Sequence, residues 1–195
     1  MTDQERIRNQ PEQFATDGLT PEEDRQLVSL LSKWKGGKIS TPVFTELARI
    51  IPQPIIEVVL FRENDGVLET LLIPRPKDDI VWPGMVHTPG TALRASDYGR
   101  ADNNPVKRAF ERIQHGELHC EFADTPIFAG RLHRDGDRGP EVVEVYVADL
   151  GESFELLEGQ EWCRVDKLSE NSKFIQGQLG HVFLAVDFLK NGLPD

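Results

Sequence analysis

Behind a polar opening, residues 1–18, the apolar positions Leu27, Leu30, Leu31 and Trp34 recur at helical spacing. Thr20-Pro21-Glu22-Glu23 precedes them: a threonine to accept from the first free amides, a proline suited to the first helical position, and a glutamate able to reach back. Gly36-Gly37 is predicted to end this helix. Thr41-Pro42 opens a second short helix with Phe44, Leu47, Ala48 and Ile51 on one side, closed by Pro52 and Pro54.

The pattern then changes to that of strands. Ile55-Ile56-Glu57-Val58-Val59-Leu60-Phe61 is β-branched and mostly apolar, as a strand buried on both faces requires. Asn64-Asp65-Gly66 predicts a primed hairpin turn, with a second strand over Val67–Ile73. Ile80-Val81-Trp82 reads as a short strand and the polar stretch Thr91–Asn103 as a loop. Asn104-Pro105 caps and opens a helix carrying Val106, Ala109, Phe110 and Ile113 to about His115, with Gly116 as its stop. Strands are predicted over Ile127–His133, Val142–Leu150 and Trp162–Val165, and a last amphipathic helix through Val182, Phe183, Val186 and Leu189 ends at Asn191-Gly192. A helix set between two groups of strands implies a mixed sheet covered on both faces.

Composition narrows the functional classes. At 195 residues with 38% hydrophobic content, the chain can bury a real core. It has no run of apolar residues long enough for a membrane-spanning helix, and its polar start lacks the apolar segment of a secretory signal. The net charge of -11, without any basic run, argues against nucleic acid and against an anionic membrane surface. A small phosphorylated ligand needs only a few local cations and stays open. Cys120 and Cys163 have neither metal-ligand spacing nor a disulfide framework, which suits reduced thiols in a cytoplasm.

Three patterns in order are similar to the Nudix superfamily: the loop Trp82-Pro83-Gly84-Met85-Val86-His87-Thr88-Pro89-Gly90, the helix Pro105–Gly116 after it, and Glu158-Gly159-Gln160-Glu161-Trp162-Cys163-Arg164-Val165 before the final helix. The resemblance spans about Pro54 to Lys190. It implies an α/β/α sandwich with a mixed sheet at residues 54–195, preceded by a tail and helical extension at 1–53. It also implies Mg²⁺ or Mn²⁺ held by helical glutamates, and pyrophosphate cleavage in a nucleoside diphosphate-linked compound. The glutamates of the family's helix signature are replaced here. In one register Ala109, Phe110, Ile113 and Gln114 stand at the signature positions, and no other register restores the acidic cluster. Met85 replaces the second glycine of the loop, and Thr91 the glutamate expected after Gly90.

The candidate residues each carry two readings. Glu111 and His115, four apart on one helical face, form a metal pair with Glu111 also catalytic, or else a solvated pair near a helix end. His87, in the loop that faces substrate in the family, is an acid/base or phosphate ligand, or else a loop histidine bonded to backbone. Arg62 and Arg75, like Arg131, would meet an anionic ligand in two-pronged fashion, or are solvated strand-end charges. Glu117 and Glu121 are candidate stray carboxylate ligands. Glu158 and Glu161 read as surface turn, Cys163 as a small core residue, and Trp82 as a base-stacking or a core residue. Leu30, Leu31 and Trp34 would pack on the domain's own sheet or form a homodimer surface. Two functions follow: a divergent hydrolase with an unusual metal site, or a non-catalytic module that binds a nucleotide-like ligand or a protein partner.

Overall fold

A computed structural model of the chain describes residues 19–34, 39–98, 104–151 and 154–192. The predicted stop at Gly36-Gly37 and the opening tail lie outside these residues. The chain forms two compact units, Met1–Gly36 and Gly37–Asp195.

The first unit holds helix α1 (Pro21–Leu31) with the expected capping box. Thr20 N donates to Glu23 Oε2 at 2.8 Å and Glu23 N donates to Thr20 Oγ1 at 3.3 Å.

The second unit begins with α2 (Thr41–Ile50), then β1 (Gln53–Asn64) and β2 (Val67–Pro74). Asp65 and Gly66 have φ of 52° and 75°, the primed turn that an Asp-Gly pair favours. There follow β3 (Val86–His87), β4 (Gly90–Ala92), α3 (Pro105–Ile113), β5 (Ile127–Gly136), β6 (Gly139–Ala148), β7 (Glu161–Arg164) and α4 (Leu179–Asn191). Asn104 Oδ1 accepts from Lys107 N at 3.0 Å, so the predicted cap of α3 is formed.

The sheet runs β3-β2-β1-β6-β5, with β4 also pairing β1 and β7 pairing β2. β1 and β6 are parallel, Gln53 opposite Glu141 through Leu60 opposite Ala148; the other pairs are antiparallel. Along β1, Ile55 and Val59 point into one core, with Val143, Val145, Leu168, Phe174, Val182 and Ala185. Ile56, Val58 and Leu60 point into the other, with Leu71, Ala109, Phe110, Ile113 and Leu118. Helix α4 thus covers one face and α3 the other, the α/β/α sandwich expected.

Three local expectations are corrected. Ile80–Trp82 is no strand: Asp79 Oδ1 accepts from the amides of Val81 and Trp82 at 3.0 and 2.9 Å, and this side-chain bonding curls the segment into a turn. The stretch from Thr91 is not all loop, since β4 and a 3₁₀ turn, Ala95–Asp97, occupy its first part. Gly116 does not stop the helix after α3. A π turn over Gln114–Leu118 carries the chain on to His119, whose φ of 54° ends it. The wider turn brings Leu118 into the core under Ile113, so burial outweighs the glycine as a stop signal.

Gly139, at φ 126°, lies where α2 meets the β5–β6 turn. A Cβ there would stand 2.9 Å from Arg49 Cα, and backbone at that distance cannot yield as a side chain would. Gly139→Ala is therefore expected to destabilise the protein by roughly 1–3 kcal/mol, read as a lower urea midpoint; an unchanged midpoint would show that α2 gives way freely.

Candidate functional site

A carboxyl group inside the sheet organises the site. Glu57 breaks the apolar run of β1 and is 3% exposed. Its Oε2 accepts from Thr88 Oγ1 at 3.2 Å and its Oε1 from Gln178 Nε2 at 3.3 Å. Thr88 Oγ1 lies 2.8 Å from His181 Nε2, and Arg134 stands 3.8 Å from Glu57 Oε1. Arg134 is closer to Glu141, at 2.5 Å, and Arg138 lies 3.5 Å from the same carboxylate. Glu141 thus takes most of the cationic charge. Burial then pushes the Glu57 carboxyl up to about 8, against the opposing pull of Arg134. Burial also holds His181 well below its ordinary value, so it is neutral; an Nε2–H donated to Thr88 leaves Nδ1 without a partner, as observed.

β4 lies directly against this group. A Cβ on Gly90 would be 2.6 Å from Glu57 Cδ, so only glycine fits. Gly90 N donates to Glu117 Oε2 at 3.1 Å, and the π turn is what delivers Glu117 to that amide. Burial raises the Glu117 carboxyl to about 7, with Gly90 N–H, Arg75 and Arg112 opposing. Glu117 lines a cleft of about 650 Å³ together with Thr91, Arg94, Asp97, Arg108, Glu111, Arg112 and His115. Arg112 is held rigidly there, NH1 on Asp97 and NH2 on Ala92 O at 3.0 Å. A second cleft of about 440 Å³ lies between Trp82, Met85, Phe174 and Ile175, with Arg134, Asp137 and the buried Glu141 in its wall.

The structure brings some of the sequence candidates together and separates others. Glu111 and His115 line the same cleft, but Glu111 Oε2 accepts from Arg108 at 3.3 Å and His115 Nδ1 faces Glu121 at 3.7 Å. His87 is 4% exposed on β3, and burial, aided by Arg75, lowers it to about 3. It is a neutral imidazole, away from solvent. Arg75 bonds Asp79 and lies near enough to influence both His87 and Glu117. Arg62 is elsewhere, bonded to Glu69 at 2.7 Å and 4.6 Å over the Trp162 ring. Arg131 pairs with Glu144. Trp82 is buried, its Nε1 donating to Asp137 at 2.8 Å. Cys163 is half-buried, and neither thiol is bridged.

Glu57, Thr88, Gln178, His181, Arg94 and Asp97 escaped the sequence reading. Only Glu57 left a signal, one charge inside an apolar strand. Thr88, Gln178 and His181 join that group across 31 to 121 residues, and Asp97 meets Arg112 across 15, which no local pattern encodes; only the bond of Arg94 N to Asp97 is local.

The divalent ion implied by the resemblance has no matching donor set here. Among the described residues no three His, Cys, Asp or Glu side chains converge. The acids of the cleft are occupied, Glu111 by Arg108, Asp97 by Arg112 and Glu117 by a backbone amide. A hard cation needs several free oxygens, and these residues as placed do not fit one. Among the described residues no helix is long and apolar enough to cross a membrane.

No family model and no curated protein sequence matches the chain. Solved structures do. The Nudix domain of Shewanella oneidensis NrtR, in complex with ADP-ribose, is similar over 83% of this chain and 97% of that one, with 14% identity and a TM-score of 0.52. A MutT/Nudix family protein from Listeria innocua is similar over 72% and 96%, at 15% identity and 0.52. The C-terminal domain of mouse MUTYH, solved with human PCNA, is similar over 74% and 94%, at 15% identity and 0.53. The chain has the Nudix fold.

The two raised carboxyls predict a pH effect. Each keeps its proton in the fold up to about 7 or 8 but loses it near 4.5 once unfolded, so unfolding releases protons and stability falls as pH rises through that window. The lowered His87 acts oppositely: its contribution is complete above 6.5 and is lost as pH falls toward about 3. Glu57→Gln should flatten the decline between about pH 5 and 8, by at most ~1.4 kcal/mol per pH unit. Urea denaturation across that range measures it; an undiminished slope would place the proton elsewhere.

Proposed function

We propose that this protein is a Nudix-fold module that binds a nucleotide-like ligand without cleaving it. The observation that carries this reading is the cleft beside α3, where guanidinium groups occupy the carboxylates that would otherwise hold a metal. The fold shared with a domain solved in complex with ADP-ribose supports a ligand of that chemical class. Arg75, within electrostatic reach of Glu117, and the wall of Trp82, Phe174 and Glu141 would face the ligand. Arg62, on the far side at Trp162, would serve only a ligand extending to β7. The fold shared with a domain solved with PCNA supports the other form of this reading, a protein partner. Reduced Cys120 and Cys163 suit a cytoplasmic protein.

One observation favours a hydrolase instead. Glu117 lines a cleft and its carboxyl is raised to about 7, near the pH at which a general base works best. In that reading Glu111 and His115 would help to recruit the metal.

Two measurements separate these functions. Calorimetry with ADP-ribose in EDTA should give binding; none, with or without Mg²⁺, would remove the nucleotide reading. Phosphate release from a panel of nucleoside diphosphate compounds with Mg²⁺, Mn²⁺ or Zn²⁺ should be absent; turnover lost in both Glu111→Gln and Glu117→Gln would establish the enzyme.

A further inference from the structure

We infer that the α3 cleft binds the phosphate part of its ligand directly on arginine side chains, with no metal ion, and that Arg94 is the contact that remains available. This rests on the nucleotide reading above and assigns the group that would anchor it.

Three guanidinium groups line one cleft of about 650 Å³, in a protein whose net charge is -11. Their roles differ. Arg108 touches Glu111 at 3.3 Å. Arg112 is tied to Asp97 and to Ala92 O, while its Nε–H has no hydrogen-bond partner. Arg94 has no ion-pair partner among the described residues; it is exposed and lines the cleft. Its backbone is nevertheless fixed, because Arg94 N donates to Asp97 Oδ2 at 2.7 Å. Asp97 therefore aligns two arginines at once, Arg112 through its side chain and Arg94 through its amide.

Two of the three acids of the cleft hold these cations. Asp97 is buried under Arg112, Glu111 lies along Arg108, and Glu117 turns to Gly90 N. A phosphate in the cleft would meet the exposed Arg94 and the fixed Arg112, which line it together. Planar two-pronged donors are well matched to phosphate oxygens, and local cations can capture an anion against an unfavourable overall charge. A metal would need these carboxylates released from their arginines, whereas an anion needs them left as they are.

The test uses the full chain, inorganic pyrophosphate and inorganic phosphate, in EDTA at low salt, followed by calorimetry and by the phosphorus-31 resonance. Pyrophosphate should bind the parent protein. Arg94→Ala should weaken it about tenfold, Arg94→Lys should recover part of that loss, and Arg164→Ala, on an exposed pair with Asp166, should change nothing. Since Arg94 is exposed, its loss leaves the fold intact, which the urea midpoint checks. Pyrophosphate binding that vanishes in EDTA, or equals the parent's in Arg94→Ala, would overturn the inference. ADP-ribose binding in EDTA that pyrophosphate cannot displace would overturn it too, while leaving the nucleotide reading in place. Pyrophosphate binding lost with Arg94, in a protein that takes no nucleotide, would uphold it and remove that reading alone.

Discussion

A carboxyl group buried in the middle of β1 constrains everything around it. A lone carboxylate inside a sheet is costly unless it is bonded or keeps its proton, and Glu57 does both. Thr88, Gln178 and Arg134 come from three separate segments to reach it. That requirement fixes the loop after β3 against the start of α4, and it forces glycine at position 90. Once Gly90 is fixed, its amide draws in Glu117, which lines the cleft beside α3. The apolar cores stabilise both faces of the sheet, but the polar group between them determines where loops, turn and cleft meet.

The fold was legible in the sequence to the extent that it is written in short-range pattern. The apolar run around Ile55–Phe61, the Asp65-Gly66 turn and the caps at Thr20 and Asn104 each have a local cause, and each formed as expected. Failures arose where a side chain overrode its neighbourhood. Asp79 bent a β-like Ile80-Val81-Trp82 into a turn. Leu118 drew the chain past Gly116.

Little of the site was legible in the sequence. Counting along α3 puts Ala109, Phe110, Ile113 and Gln114 at the positions where the resemblance expects its signature, since those positions are local. What stands around them was invisible, because Asp97 and Ala92 O reach Arg112 from outside the helix and Arg94 is aligned by its backbone. His87 illustrates the reverse error of proximity: it sits in the suggestive loop, yet its strand pairing with Ile73 turns the ring into the interior.

The π turn at Gln114–Leu118 has a further bearing on comparison with relatives. One additional residue in a helix rotates all that follows by about 100° relative to what precedes it. Side chains on either side of Gln114 then share a wall in space while falling out of phase in the written sequence. A single ungapped alignment through this segment must mismatch one half or the other, so the acidic positions of related proteins have to be matched separately before and after it.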